Sequence, residues 1–240
     1  MPTEALVSRR KFVLGTSAFA LGLLTDVSYS QNKKGGLNED YRDFDSGTLP
    51  NLRPFGTQPA KSDEVAKADV LLLAAPLQKL PLEVMKYLEA LPDENTDNEA
   101  YNGGWRVRWN PLIVRFFTET RTAPAGDTTA WCAASLNWVL ARCGLHGTES
   151  ASSGSFRGSK GLTDNPHAGD IVVFVSKDLD EARVGHGHVG LFLEQNASGI
   201  LVLGGNQKNR FGHHAVCRKW IPKKGDVLVF HSYHSIEAYR

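Results

Sequence analysis

The sequence predicts an α+β domain with a mainly antiparallel sheet. Three observations lead there. Helix-like apolar periods occupy the chain between residues 63 and 144. Strand-like runs crowd the stretch from 169 to 230. Short segments containing Gly, Asn, Pro or Lys separate those strands, which is the pattern of a domain with its helices and its sheet in different parts of the chain. The chain has 240 residues, 41% of them hydrophobic, enough for a substantial core. A net charge of +1, from 27 basic and 26 acidic residues, does not call for nucleic acid or an anionic membrane as partner.

Taken in order, residues 1–30 have the form of an export signal. Arg9 and Arg10 precede a short apolar run from Phe12 to Leu24, and small residues such as Ser28 and Ser30 follow it. That run is too short to span a bilayer of ~30 Å at ~1.5 Å per residue, and Ser8-Arg9-Arg10-Lys11-Phe12 resembles a twin-arginine signal. The mature protein is therefore expected in the periplasm or elsewhere outside the cytoplasm, with no stable membrane insertion once the signal is removed. Residues 31–62, rich in Gly, Pro, Asn and Asp, read as a flexible linker. Residues 63–109 form a helical N-terminal extension, with "DEVAKADVLLLAA" and, after Pro81, "LEVMKYLEAL". Residues 110–240 form the main domain. It opens on a short helix, "NPLIVRFFTET", with Asn110 at the N-cap and Pro111 at the first helical position.

A longer helix is expected in "DTTAWCAASLNWVLARCG". Asp127, Thr128 and Thr129 offer N-cap side chains, and Gly144 is the stop. Cys132, Leu136, Val139, Leu140 and Cys143 share one apolar stripe. Cys132 thus sits in the first turn, where backbone N–H groups and the positive end of the helix dipole favour a thiolate and can hold an oxyanion. A cysteine on such a stripe is also an ordinary core residue. Cys143, near the other end, and Cys217, in a late strand, read as core, or as partners of one another. The polar loop "GTESASSGSFRGSKG" suits a groove wall as well as a plain connection.

The strands expected are Gly169–Val175, Gly187–Glu194, Gly199–Gly205, His214–Trp220 and Asp226–Phe230. Alternation puts His188, Gly190 and Phe192 on one face and Val189, Leu191 and Leu193 on the other. Pairing Glu194 with Ile200 across "EQNASGI" sets His188 opposite Asn206, within reach of the same face. Cys132, His188 and Asn206 would then form a Cys–His–Asn site. Asp127, Trp131 and Gln207 are candidate substrate-binding residues beside it, Gln207 being also an alternative to Asn206. Zinc ligation by His186, His188, His213 or His214 is the rival chemistry, but the chain has no Cys-x-x-Cys or His-Glu-x-x-His run. His231 and His234 read as exposed tail residues.

The ordered motifs "WCAASLNWVL", "NPHAGDIVVF", "GHVGLFLE" and "VLGGNQ" resemble those of CHAP (cysteine, histidine-dependent amidohydrolase/peptidase) domains, relatives of NlpC-type cell-wall hydrolases. The likeness covers residues 110–216. It implies a papain-like α+β fold and cleavage of amide bonds in peptidoglycan, by an N-acetylmuramoyl-L-alanine amidase or a peptide endopeptidase, without metal or other cofactor. It matches Cys132 to the nucleophile, His188 to the general base and Asn206 to a polar position after the His-bearing strand. Many such enzymes carry Glu two residues before that position, where this chain has Gly204. A wall-binding protein without activity and an exported acyltransferase are the alternatives on the same fold.

Overall fold

The computed structural model describes residues 58–240. The export signal expected over 1–30 and most of the linker expected over 31–62 lie outside the described residues. Five helices and six strands follow in the order α1 (Ser62–Ala74), α2 (Pro81–Glu89), α3 (Pro111–Phe116), α4 (Cys132–Arg142), β1 (Leu162–Thr163), β2 (Ile171–Ser176), α5 (Leu179–Arg183), β3 (Gly187–Gln195), β4 (Gly199–Lys208), β5 (His214–Pro222) and β6 (Leu228–His234). All strand pairings are antiparallel, and the sheet order is β1-β6-β2-β3-β4-β5. The fold is α+β with an antiparallel sheet. No described helix is long and apolar enough to cross a membrane.

Local chemistry fixes the helix ends. In α1 the Glu64 carboxylate accepts the Lys61 backbone N–H at 2.8 Å and a two-pronged contact from Arg108 at 2.7–3.0 Å. Helix α2 starts on Pro81, whose missing N–H costs nothing at that position. In α3 the Asn110 side chain accepts the Leu112 N–H at 2.9 Å, and Pro111 follows as the first helical residue. Helix α4 ends in a Schellman turn. Gly144 takes φ +74°, Leu145 N–H reaches Leu140 C=O and Gly144 N–H reaches Ala141 C=O, each at 2.9 Å.

The start of α4 differs from the sequence expectation. Its N-cap is Trp131, which offers no side-chain acceptor. Asp127 and Thr128 lie instead in a separate 3₁₀ turn, with Thr129 just after it. Gly126 bends that turn at φ +71°, where a Cβ would come 2.3 Å from the Trp109 ring.

Both faces of the sheet are buried. On one, Ile171, Val173, Val189, Leu191 and Leu203 pack against α4, with α1, α2 and α3 in the same cluster. Ala68, Leu71, Val84, Met85 and Leu88 belong to that cluster, so the 109/110 boundary runs through a shared core. On the other face, Val172, Phe174, Phe192, Ile200, Val202 and Tyr233 form a second cluster. Strand β6 is longer than the sequence suggests, because it pairs with both β1 and β2. His234 is therefore fully buried rather than a tail residue. Its Nε2 lies 2.7 Å from Ser232 Oγ and its Nδ1 2.8 Å from the Lys160 carbonyl.

Candidate active site

Cys132 is the first residue of α4 and is 4% exposed. It borders a cleft of about 230 Å³ together with Thr129, Ser152, Ser153, Gly185 and His186. Two of the segments around this cleft are tied together by hydrogen bonds. The Gly185 carbonyl accepts from Ser152 Oγ (3.1 Å), Ser153 Oγ (3.2 Å) and Gly154 N–H (2.9 Å). Gly185 sits at φ +97°, and a Cβ there would meet Ser152 Oγ at 2.4 Å. The Gly/Ser-rich loop is anchored from below by Asn137 of α4, which accepts the Thr148 and Glu149 N–H groups (2.7 and 3.1 Å) and donates to the Ser150 carbonyl (2.9 Å). Ala151, Ser152 and Ser153 of that loop line the cleft.

His186 stands at the mouth of the cleft, one residue before β3, with its side chain 32% exposed. Its Nδ1 is hydrogen-bonded to the Glu181 carboxylate, and its backbone N–H donates to the Glu181 carbonyl at 3.0 Å. The carboxylate selects the tautomer with hydrogen on Nδ1, which makes Nε2 the basic nitrogen. Glu181 is held in turn. Asp178 caps the five-residue α5, accepting the Asp180 and Glu181 N–H groups at 2.9 and 3.1 Å. The Arg157 guanidinium bonds the Ala182 and His186 carbonyls and fixes the α5–β3 connection.

His188 is placed elsewhere. It pairs with Phe174 across β2, on the face that carries the second cluster, while its neighbour Val189 faces α4. It borders a separate cavity of about 210 Å³ with Gln207, Lys219 and Lys224. Of the two cavities described, Cys132 thus borders one and His188 the other. Burial, then the Lys219 ammonium, lowers the His188 pKa to about 4; a hydrogen bond with the Gln207 side chain pulls the other way, and His214 adds to the depression. The unfolded chain, at about 6.5, binds this proton first as the pH falls. Stability attached to neutral His188 is therefore complete above pH 6.5 and declines towards pH 4. At pH 5 the loss is about 2 kcal/mol. Urea unfolding of His188→Gln at pH 7.5 and pH 5 should show a decline smaller than wild type by that amount; equal declines would contradict the depressed pKa.

Asn206 lies where the edge of β4 is irregular. Next to the β3–β4 turn the pairing joins Glu194 to Leu201 and Gln195 to Ile200, one residue out from the expected Glu194–Ile200 pair, but beyond an irregularity between Phe192 and Glu194 the pairs Phe192–Val202 and Leu191–Leu203 have the expected register. In the β4–β5 pairing an irregularity lies between Gly204 and Gln207, where Asn206 takes φ +59°. Its Oδ1 lies 3.0 Å from His214 Nδ1. Gln207 is 1% exposed, and its amide N–H groups reach the Cys217 and Gly204 carbonyls at 2.6 and 3.1 Å.

Trp131 and Asp127, expected to meet substrate, are both fully buried. Trp131 packs against Phe116 with ring centroids 6.1 Å apart and against Gly205, where a Cβ would come 2.5 Å from the indole. Asp127 Oδ2 accepts the Trp105 and Asn110 backbone N–H groups at 3.0 and 2.8 Å. Burial raises its pKa to about 6 against these backbone donors.

The other two cysteines are partly buried and free, and burial pushes each thiol up to about 11. Neither is poised for attack at neutral pH. Among the described residues, no group of three or more His, Cys, Asp or Glu side chains is placed to hold a metal ion. Sequence reasoning did not place His186 on the Cys132 cleft, nor Glu181 beside His186. The sequence carries a trace of them in "DLDEARVGH", where Asp178 is spaced to cap a short helix that ends just before His186. Comparison with protein-family models, with curated proteins and with solved structures gives no match to this chain.

Proposed function

We propose that this protein is an exported cysteine hydrolase that cleaves amide bonds in peptidoglycan, on a papain-like variant of the α+β fold. One observation carries the catalytic part: a cysteine at the first position of a helix borders the same cleft as a histidine oriented by a carboxylate. Cys132 is the nucleophile, His186 the base and Glu181 the group that orients it. His186 Nε2 takes the thiol proton, and the sulfur attacks the amide carbonyl carbon. Backbone N–H groups at the start of α4 stabilise the resulting oxyanion. The imidazolium then protonates the departing amine. A water molecule, deprotonated by the same nitrogen, attacks the thioester and frees Cys132 for the next cycle.

The substrate and the extracytoplasmic location rest on the resemblance of four ordered motifs to CHAP domains and on the form of residues 1–30. This assignment keeps the nucleophile that the resemblance implies and moves the base from His188 to His186. The test is digestion of purified peptidoglycan, followed by mass spectrometry of the released fragments. Free stem peptides with the glycan intact identify an amidase, and cut stems or cross-links an endopeptidase. Absence of any product from folded protein on several wall types would refute the reading.

A further inference from the structure

A third cavity, of about 600 Å³, has a lining separate from that of the Cys132 cleft, drawn from the loop around residues 91–106 and the β4–β5 turn. Its size is within the range of about 300–1,000 Å³ usual for small-ligand sites. Both walls are built rather than loose. In the β4–β5 turn, Asn209 Oδ1 accepts the Phe211 and His213 N–H groups at 2.9 and 3.1 Å, and Asn209 N–H donates to the His213 carbonyl at 2.9 Å. That turn holds Phe211 outward, 69% exposed, with the Arg210 guanidinium 4.7 Å from its ring centre. A large apolar ring fixed in water at a cavity rim has no part in the core.

The opposite wall has the same construction. Asn95 Oδ1 accepts the Asp97 and Glu99 N–H groups at 2.8 and 3.0 Å, and Glu99 accepts the Arg106 N–H at 2.7 Å. Between the walls, Gly104 N–H donates to the His214 carbonyl at 2.9 Å, and a Cβ on Gly103 would meet that carbonyl at 2.9 Å. The glycines let this segment's backbone approach the His214 carbonyl closely. The cavity therefore offers amides, carboxylates, the Arg106 guanidinium and the His213 and His214 imidazoles, with Phe211 as its one phenyl ring. Carboxylates and a guanidinium stand together in its lining, so no single-sign field favours an ionic ligand. The matching chemistry is a neutral polyol with one flat C–H face: hydroxyl and acetamido groups meet the polar walls, and the C–H face meets the electron-rich face of the ring.

We infer that this cavity binds a carbohydrate, an N-acetylated amino-sugar chain, with Phe211 as the stacking residue. The choice of the wall glycan as the natural source rests on the hydrolase reading above. The site would hold the glycan strand while Cys132 acts on an attached peptide.

The experiment is a calorimetric or NMR titration of the whole protein with the tetramer of N-acetylglucosamine, which lacks a stem peptide. Saturable binding is expected, weakened at least tenfold in Phe211→Ala and retained in Phe211→Trp. Phe211 is exposed, so the alanine variant should keep the wild-type melting temperature, which is measured alongside. No saturable binding to wild type, or equal binding to wild type and Phe211→Ala, overturns the inference. Wall digestion without tetramer binding would sink the sugar site alone. Tetramer binding without wall digestion would leave the site standing and remove the hydrolase reading.

Discussion

Cys132→Ala is expected to abolish release of wall fragments, and His186→Ala to lower kcat/KM by about 10³-fold, in the range for loss of a general acid–base. Cys132→Ser keeps the side-chain volume and should be equally inactive, because a hydroxyl is a far weaker nucleophile with the same base. Glu181→Gln should be milder than His186→Ala, since it leaves the imidazole in place and weakens only its orientation and the stabilisation of the imidazolium. His188→Ala is the decisive comparison. His188 lies on the sheet face opposite α4, so its loss should change kcat/KM by less than tenfold, with the effect confined to stability. Melting temperatures of all variants separate a lost fold from lost chemistry. A dead His188→Ala beside an active, folded His186→Ala would return the base to the strand position implied by the motif resemblance.

The two histidines also show what the sequence can and cannot specify. Alternation along β3 correctly separates His188, Gly190 and Phe192 from Val189 and Leu191. It cannot say which side α4 covers, because both faces of this sheet are buried and both read as apolar. A sheet with one solvated face would resolve the matter from polarity alone. Helix limits are more legible. Asn110-Pro111 and Gly144 act through local backbone chemistry, and the structure uses each as expected. Asp127 misleads because a carboxylate a few residues ahead of a helix looks like a cap, whereas its partners, Trp105 and Asn110, are remote in sequence. The β3–β4 register is one residue out only beside the turn, because an irregularity at Phe192–Glu194 restores the expected pairing further along the strands. Helix α5, with five residues, is too short to show a period, so the sequence does not announce the Glu181–His186 pair.

Asp127 supplies the second large effect. Asp127→Ala leaves the buried Trp105 and Asn110 N–H groups without their acceptor, a loss of about 3 kcal/mol, and loosens the segment leading into Cys132. Asn110 transmits the damage, because its own side chain caps α3 and donates to the Tyr101 and Gly103 carbonyls at 2.8 and 2.7 Å. Asp127→Asn behaves differently, since its amide oxygen can accept both N–H groups without bringing a buried charge. The wild-type carboxyl has its folded pKa raised to about 6 from an ordinary value of 3.8, so its contribution is fullest below pH 3.8 and is lost as the pH rises through 6. From pH 4 to pH 7.5 that loss is about 2 kcal/mol. The amide of the Asp127→Asn variant has no such titration. The stability of Asp127→Asn relative to wild type should therefore improve by this amount over the same interval, measured by urea unfolding at both pH values. A relative stability that stays flat between them would show that burial does not dominate the carboxyl, and that the backbone donors hold it charged at no net cost.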